Sequence, residues 1–168
     1  VTRGLNAGGY DNKNEIEYIT IASEGNATDF GDLTTGREKL GALSSTTRSV
    51  FTGGYTSSNQ NVLDYITIAS TGNATDFGDQ TSARRNAQGA SSNTRGLLMG
   101  GDESGGAVNT VGYITIASVG NATDFGDLSA VSKEGSAVSN KTLALYHLDS
   151  DKIRLDKFTI ASTGNATD

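Results

Sequence analysis

The side chains of this sequence that could do chemistry recur at nearly fixed intervals. Asn26, Asn73, Asn121 and Asn165 each open an Asn-Ala-Thr triplet, and Asn140 opens Asn-Lys-Thr. The pattern fits an N-glycan acceptor on a secreted chain. It fits better an Asx-type turn before a strand, with the side-chain oxygen bonding nearby backbone. Asp29 and Asp32 follow Asn26 and invite a calcium reading. A calcium loop wants six to eight oxygens at D-x-[DN]-x-[DN]-G spacing, whereas here Phe30 sits inside the run, so no metal is expected. Arg37 follows Asp32 by five residues, and Arg84 follows Asp79 likewise. A guanidinium can grip a carboxylate or a sugar in a fork. A position set by the repeat argues instead for a structural pair with Asp32 or Asp79, or with carbonyls of a neighbouring unit. The same reading covers Arg3, Arg48 and Arg95.

Catalytic constellations are missing from this inventory. There is no cysteine and one histidine, His147, which reads as an isolated side chain rather than a ligand or base. Serine and threonine abound, but an activated nucleophile needs a positioned base. Nothing singles out two of the 19 acidic residues as a glycan-cleaving pair. The glycine-rich stretches precede strands rather than helices, unlike phosphate loops. The expectation is a non-enzymatic protein without cofactors. Thirteen basic against 19 acidic residues leave a net charge of −6, a poor match for nucleic acid or anionic membrane. No apolar run approaches the roughly 18 residues of a membrane helix, so no membrane insertion is expected.

The elements that must position these residues follow from the repeat. Tyr18-Ile-Thr-Ile-Ala-Ser returns at Tyr65 and Tyr113, and as Lys157-Phe-Thr-Ile-Ala-Ser. Gly-Asn-Ala-Thr-Asp follows every copy, and the first three continue into Phe-Gly-Asp at Phe30, Phe77 and Phe125. Thr-Arg-(Gly/Ser) leads to double glycines at Gly8-Gly9, Gly53-Gly54 and Gly100-Gly101. A period near 47 points to a repeat architecture. Thr, Ile, Val, Phe and Tyr fill the apolar stretches, and the isoleucines of Tyr65-Ile-Thr-Ile-Ala fall at period two, so the units are strands. Four antiparallel strands per unit are predicted, at about 84–92, 94–101, 109–118 and 122–128 in one unit. That is the blade of a β-propeller. The fold class is therefore all-β, with parts of four blades at about 1–36, 37–83, 84–130 and 131–168 and stability from blade-to-blade burial.

The order of motifs resembles the kelch repeat. Gly53-Gly54 matches the double glycine that ends a kelch second strand, Tyr65 the tyrosine of the third, and Arg84 a recurring arginine. Phe77 stands where kelch repeats usually carry tryptophan. The longer string Tyr-Ile-Thr-Ile-Ala-Ser-Thr-Gly-Asn-Ala-Thr-Asp-Phe-Gly-Asp, from Tyr65 to Asp79, resembles repeats of virion structural proteins of marine tailed phages, especially tail-fibre-like ones. The resemblance covers nearly the whole chain. It implies a virion protein of tail or fibre, with other virion proteins or copies of itself as partners and host-surface glycan or protein as ligand. The alternatives are a cellular or secreted extracellular propeller that scaffolds protein partners and, less favoured, a glycan-active enzyme.

The phase of the repeat suggests a segment of a longer chain, since four full repeats would need about 190 residues. The rivals are a small ring completed by identical chains and an open stack. The fourth repeat departs from the others. Aligning Asn93 with Asn140 puts His147-Leu148 at the double glycine and Lys157 at the tyrosine, and charge rises around Lys141, Asp149, Asp151, Lys152, Arg154 and Asp156; drift in one repeat is the simplest reading. Copies also show where the chain varies. Residues 10–15, 55–60 and 102–108 differ freely, as do 34–38, 81–85 and 129–134, while the turn after Ile-Ala-Ser barely changes. In an alternating sheet both variable sets fall at one end. Variable loops on a rigid scaffold are where binding usually resides. The candidate binding residues are Tyr10, Tyr55, Arg85, Asp102 and Glu103.

Overall fold

The computed structural model describes residues 2–148 and 154–167. Asp149, Asp151 and Lys152, part of the charged stretch of the fourth repeat, lie outside the described residues, as does Asp168. The chain is all-β, with no α-helix among the described residues and fifteen strands in four antiparallel sheets. The first sheet runs β1 (Arg3–Ala7), β2 (Glu15–Thr20), β3 (Thr28–Asp32). The second runs β4 (Gly41–Ser44), β5 (Arg48–Thr52), β6 (Val62–Thr67), β7 (Thr75–Asp79). The third holds β8 (Gln88–Ser91), β9 (Arg95–Met99), a short β10 (Asp102–Glu103), β11 (Gly106–Thr115) and β12 (Thr123–Ser132). The fourth holds β13 (Ser136–Ser139), β14 (Leu143–His147) and β15 (Leu155–Thr159).

The strand expected over 84–92 starts only at Gln88. Asn86 takes a φ of 59° and Arg84 is fully buried, so the chain there is turning rather than extended. The stretch expected as a long loop at 102–108 pairs into a hairpin, with Asp102 opposite Ala107 and Glu103 opposite Gly106.

Strand alternation sends neighbouring side chains to opposite faces, and each face meets a different sheet. In β5, Val50 packs against the third sheet and Phe51 against the first. In β9, Leu98 packs against the second sheet, while Leu97 and Met99 pack against the fourth. Three apolar clusters result, one between each pair of consecutive sheets. The first strands also adjoin: β4 lies against β8 and β8 against β13. Their serines join them, Ser91 Oγ donating to Ser44 O at 2.7 Å and Ser139 Oγ to Ser91 O at 3.0 Å.

Each junction between sheets repeats one set of contacts. The arginine that opens the second strand lies over the tyrosine of the third, with Arg3, Arg48 and Arg95 at 4.4, 4.6 and 4.5 Å from the rings of Tyr18, Tyr65 and Tyr113. Its Nη1 then crosses to a carbonyl of the next sheet, at Ile68, Ile116 and Ile160. The phenylalanine of Phe-Gly-Asp stands edge-on to the same tyrosine, 5.8 to 6.0 Å away. Phe-Gly-Asp also forms an edge on which the next Gly-Asn-Ala docks. Gly72 and Ala74 N–H donate to Phe30 and Asp32 carbonyls, and Asn73 Oδ1 accepts from Asp32 N–H at 3.1 Å. Gly120-Asn121-Ala122 does the same on Phe77 and Asp79, and Gly164-Asn165-Ala166 on Phe125 and Asp127. In these three copies the asparagine does not close the local turn that the sequence suggests, whereas Asn140 does, its Oδ1 accepting from Thr142 and Leu143 N–H at 2.8 Å. The other three bond backbone of the preceding sheet, each replacing the carbonyl that a regular ladder would supply.

The fourth sheet shows how the pattern erodes. Hydrogen bonding equates Asn140 with Ser92 and Leu148 with Gly100, one position away from the alignment expected on Asn93. Leu143 then occupies the place of Arg95, and Lys157 that of Tyr113. The sequence alignment erred because β13 to β14 carry none of the motif residues that anchor the other copies.

The middle glycine of Phe-Gly-Asp is set by contact as well as by conformation. A Cβ on Gly78 would lie 2.7 Å from the Gly120 carbonyl carbon, at a φ of 137°. Gly105 has open space around it. We expect Gly78→Ala to cost about 1–3 kcal/mol or more by urea denaturation, and Gly105→Ala under about 0.5 kcal/mol. Equal losses at the two sites would show that the glycine contact is not a fixed point of the junction.

Candidate functional site

The strands bring four of the five candidate loop residues to one place. Tyr55, Arg85, Asp102 and Glu103, with Asn59 and the 104–106 turn, line an open concavity of about 560 Å³ at the variable end of the second and third sheets. Tyr10 is not part of it. It is 89% exposed on a turn where Asp11 and Asn12 take positive φ.

Backbone geometry explains the convergence. Gly53 and Gly54, at φ of 54° and 112°, turn the chain off β5 so that Tyr55 pairs with Glu38 in a two-way bridge, at 2.7 and 3.0 Å. Gly100 and Gly101, at 59° and 110°, do the same after β9, and Asp102 pairs with Arg85 at 2.8 and 3.1 Å. These φ values favour glycine because no Cβ opposes them. Each bridge ties the loop after a second strand to the segment entering the same sheet. Tyr55 and Asp102 thus hold equivalent places at successive junctions. Tyr10 holds the corresponding place in the first sheet, without such a bridge among the described residues.

The side chains form a polar, partly aromatic surface. Arg85 Nε and Nη2 both donate to Asp102 Oδ2, at 2.9 and 2.5 Å. The same guanidinium lies 5.1 Å from the Tyr55 ring centre, and Lys39 Nζ lies 5.5 Å from it. Ser82 Oγ donates to Glu103 Oε1, and Asn59 Nδ2 to the Asp102 carbonyl. A ring face, a cation, two carboxylates and a glycine turn can stack on and hydrogen-bond a ligand. Sequence reasoning missed Asn59, Ser82 and Lys39. Their signal was membership in the same variable segments or the positions just beside them.

Beneath this surface lie Arg37 and Arg84, which do not pair with Asp32 and Asp79, whereas Arg3, Arg48 and Arg95 bond carbonyls of the neighbouring sheet as expected. Arg37 pairs with Asp64 at 2.7 Å rather than with Asp32, and both side chains are fully buried. It also donates to the Gly53 and Thr35 carbonyls, and Thr34 donates to the same carboxylate through N–H and Oγ1. Asp64 immediately precedes Tyr65, an acid on the buried side of an apolar strand, and that was the readable sign. Arg84 bonds Gln80 Oε1 and the Thr110 and Leu98 carbonyls rather than Asp79. Register places Gly112 where Asp64 stands one sheet earlier, which gives the guanidinium room but no carboxylate. Burial lowers the pKa of Arg84 from its ordinary value, with Glu103 and Tyr146 opposing. Glu103 lines the open surface, and its charge favours the buried cation.

Breaking a buried pair leaves one charge stranded, whereas a pair with a partly exposed cation at the surface contributes less. We expect Arg37→Ala to lower stability by about 3–5 kcal/mol in urea. The double variant Arg37→Met/Asp64→Leu should recover most of that loss. Arg85→Ala should cost less than about 1 kcal/mol. A large loss at Arg85 would assign it to the scaffold rather than to the surface. No family model and no curated protein matches the chain.

Proposed function

We propose that this chain is a non-enzymatic virion protein of a tailed phage, a propeller-like scaffold in tail or fibre that presents its variable loops to host-surface glycan or protein. The observation that carries the binding part is the convergence of Tyr55, Arg85, Asp102 and Glu103 on one concavity. The motif string that resembles virion repeats supports the tailed-phage part. The propeller part is supported by four antiparallel sheets stacked in chain order, by adjoining first strands, and by three like junctions.

The division of the molecule into two ends fits this reading. Three of the four Gly-Asn-Ala segments, at Asn73, Asn121 and Asn165, sit at sheet junctions, where a change must be matched by a partner sheet. The loops at the other end are held by backbone bridges at Tyr55 and Asp102, so their placement does not depend on the Tyr55 side chain. A surface that must follow a changing receptor needs that independence.

Mass spectrometry of purified particles should detect the chain, and the isolated chain should bind host cells. Tyr55→Ala should weaken that binding by about tenfold or more, as truncation of an aromatic anchor does. Val119→Ala, at an exposed turn of the constant end, should leave it unchanged. Absence from particles would sink the virion reading. Equal binding by both variants would sink the loop surface.

A further inference from the structure

The three junctions define a donor face and an acceptor face for every sheet, and the first sheet carries an acceptor face that nothing in the described chain fills. In the second sheet, Ile66 and Ala74 form the seat taken by Phe30. In the third, Ile114 and Ala122 form the seat taken by Phe77. In the fourth, Phe158 and Ala166 belong to the cluster entered by Phe125. The corresponding residues of the first sheet are Ile19 and Ala27, and between them lies an open groove of about 270 Å³ lined also by Gly4, Asn6 and Glu17. Ile19 is 47% and Ile21 64% exposed, whereas Ile66 and Ile114 are 3% and 2% exposed. Gly25-Asn26-Ala27 and the Ile21 carbonyl repeat the groups that elsewhere receive a Phe-Gly-Asp edge and an arginine.

We propose that this face is a docking site for another β-sheet of the same repeat class, one that carries the donor set: arginine stacked on tyrosine and a Phe-Gly-Asp edge. The occupant's phenylalanine fills the groove between Ile19 and Ala27. Its carbonyls accept from the Gly25 and Ala27 amides, and its arginine reaches the Ile21 carbonyl. The match is directional. The fourth sheet places Leu143 and Lys157 where the donor arginine and tyrosine belong, so the last sheet of a second copy is the wrong occupant. The inference is independent of what the loop end binds.

Placing a duplicate of residues 1–45 ahead of the whole chain supplies such a donor in register. In it, Ser45 leads into Val1 as it leads into Thr46. Hydrogen exchange at Gly25 and Ala27 of the original chain should slow by at least about 100-fold, to the level of Gly72 and Ala74. Gly31→Val in the added copy alone should abolish that protection. Ile19→Asp should leave the urea midpoint of the original chain nearly unchanged and lower that of the extended chain. Unprotected amides in the extended chain, or an extended chain that does not unfold cooperatively, would overturn the proposal. Self-association of the original chain that protects the same two amides would overturn it too, by naming a second copy as the occupant.

Discussion

A sheet of three to five strands cannot hide both of its faces, and this molecule solves the problem with one contact made three times. The Phe-Gly-Asp edge of each sheet receives Gly-Asn-Ala of the next. The energies divide by kind. Burying the large side chains of one junction, such as Ile16, Phe30, Phe51 and Ile66, contributes about 1.5–3 kcal/mol each as an upper figure. The three hydrogen bonds along the edge contribute nearer 0.5–1.5 kcal/mol each. Burial supplies the attraction. The hydrogen bonds and the glycine-to-glycine approach supply register, because an apolar face would tolerate sliding that the Asn73 and Asp32 pairing does not. The arginine adds a third fix, since its stack on tyrosine and its bond to the next sheet's carbonyl are satisfied at one relative position.

Two side chains of opposite character can fill the same junction place if their surroundings change with them. Arg37 and Arg84 fill theirs with a buried cation. At the corresponding place of the third junction there is no arginine. Ser132 lies there, and the Tyr146 hydroxyl contacts its Oγ at 3.2 Å. Tyr146 occupies the place of Leu98, and Gly135 leaves space against its ring. Asp156 stays where Asp64 stands in the second sheet, and Ser129 binds it through N–H and Oγ as Thr34 binds Asp64. The charge pair is gone while the hydrogen-bonded carboxylate persists. The third junction therefore closes without a counterpart of the Arg37–Asp64 pair among the described residues, with the buried Tyr146 filling the space.

Much of this was legible. Isoleucines at period two gave strands, and the spacing of the Tyr-Ile-Thr-Ile-Ala copies gave the number of sheets. The parity of loops in an alternating sheet placed Tyr55 at the same end as Arg85. What sequence could not give was any contact that spans a junction. The identity of Asn73 as a partner of Asp32, 41 residues away, is a long-range fact hidden behind a local turn pattern. The Arg37 and Asp64 pair was hidden similarly, because Asp32 was nearer in the chain. Tyr10 looked equivalent to Tyr55 because the motif before it is the same. The difference lies in the backbone bridge to Glu38, which comes from a different stretch of chain.

The same constraint explains why the two ends of the sheets behave differently. At the constant end, the glycine and alanine amides and the asparagine Oδ1 of the last three Gly-Asn-Ala copies are partners of the preceding repeat, so a change there needs a matching change roughly one repeat length away. At the variable end, the bridges at Tyr55 and Asp102 tie each loop to its own sheet entrance, while the double glycines bond the segment entering the next sheet, as Gly54 N–H does with the Arg84 carbonyl. Glu103 lines the concavity while its charge opposes the lowering of the Arg84 pKa, and Lys39, whose φ is 57°, sets the turn beside Tyr55. Side chains that touch both layers are bound by the scaffold, and those that touch only the opening are not. Tyr55 contacts the opening through its ring and the scaffold through its backbone, which makes its position constant while its side chain remains open to exchange.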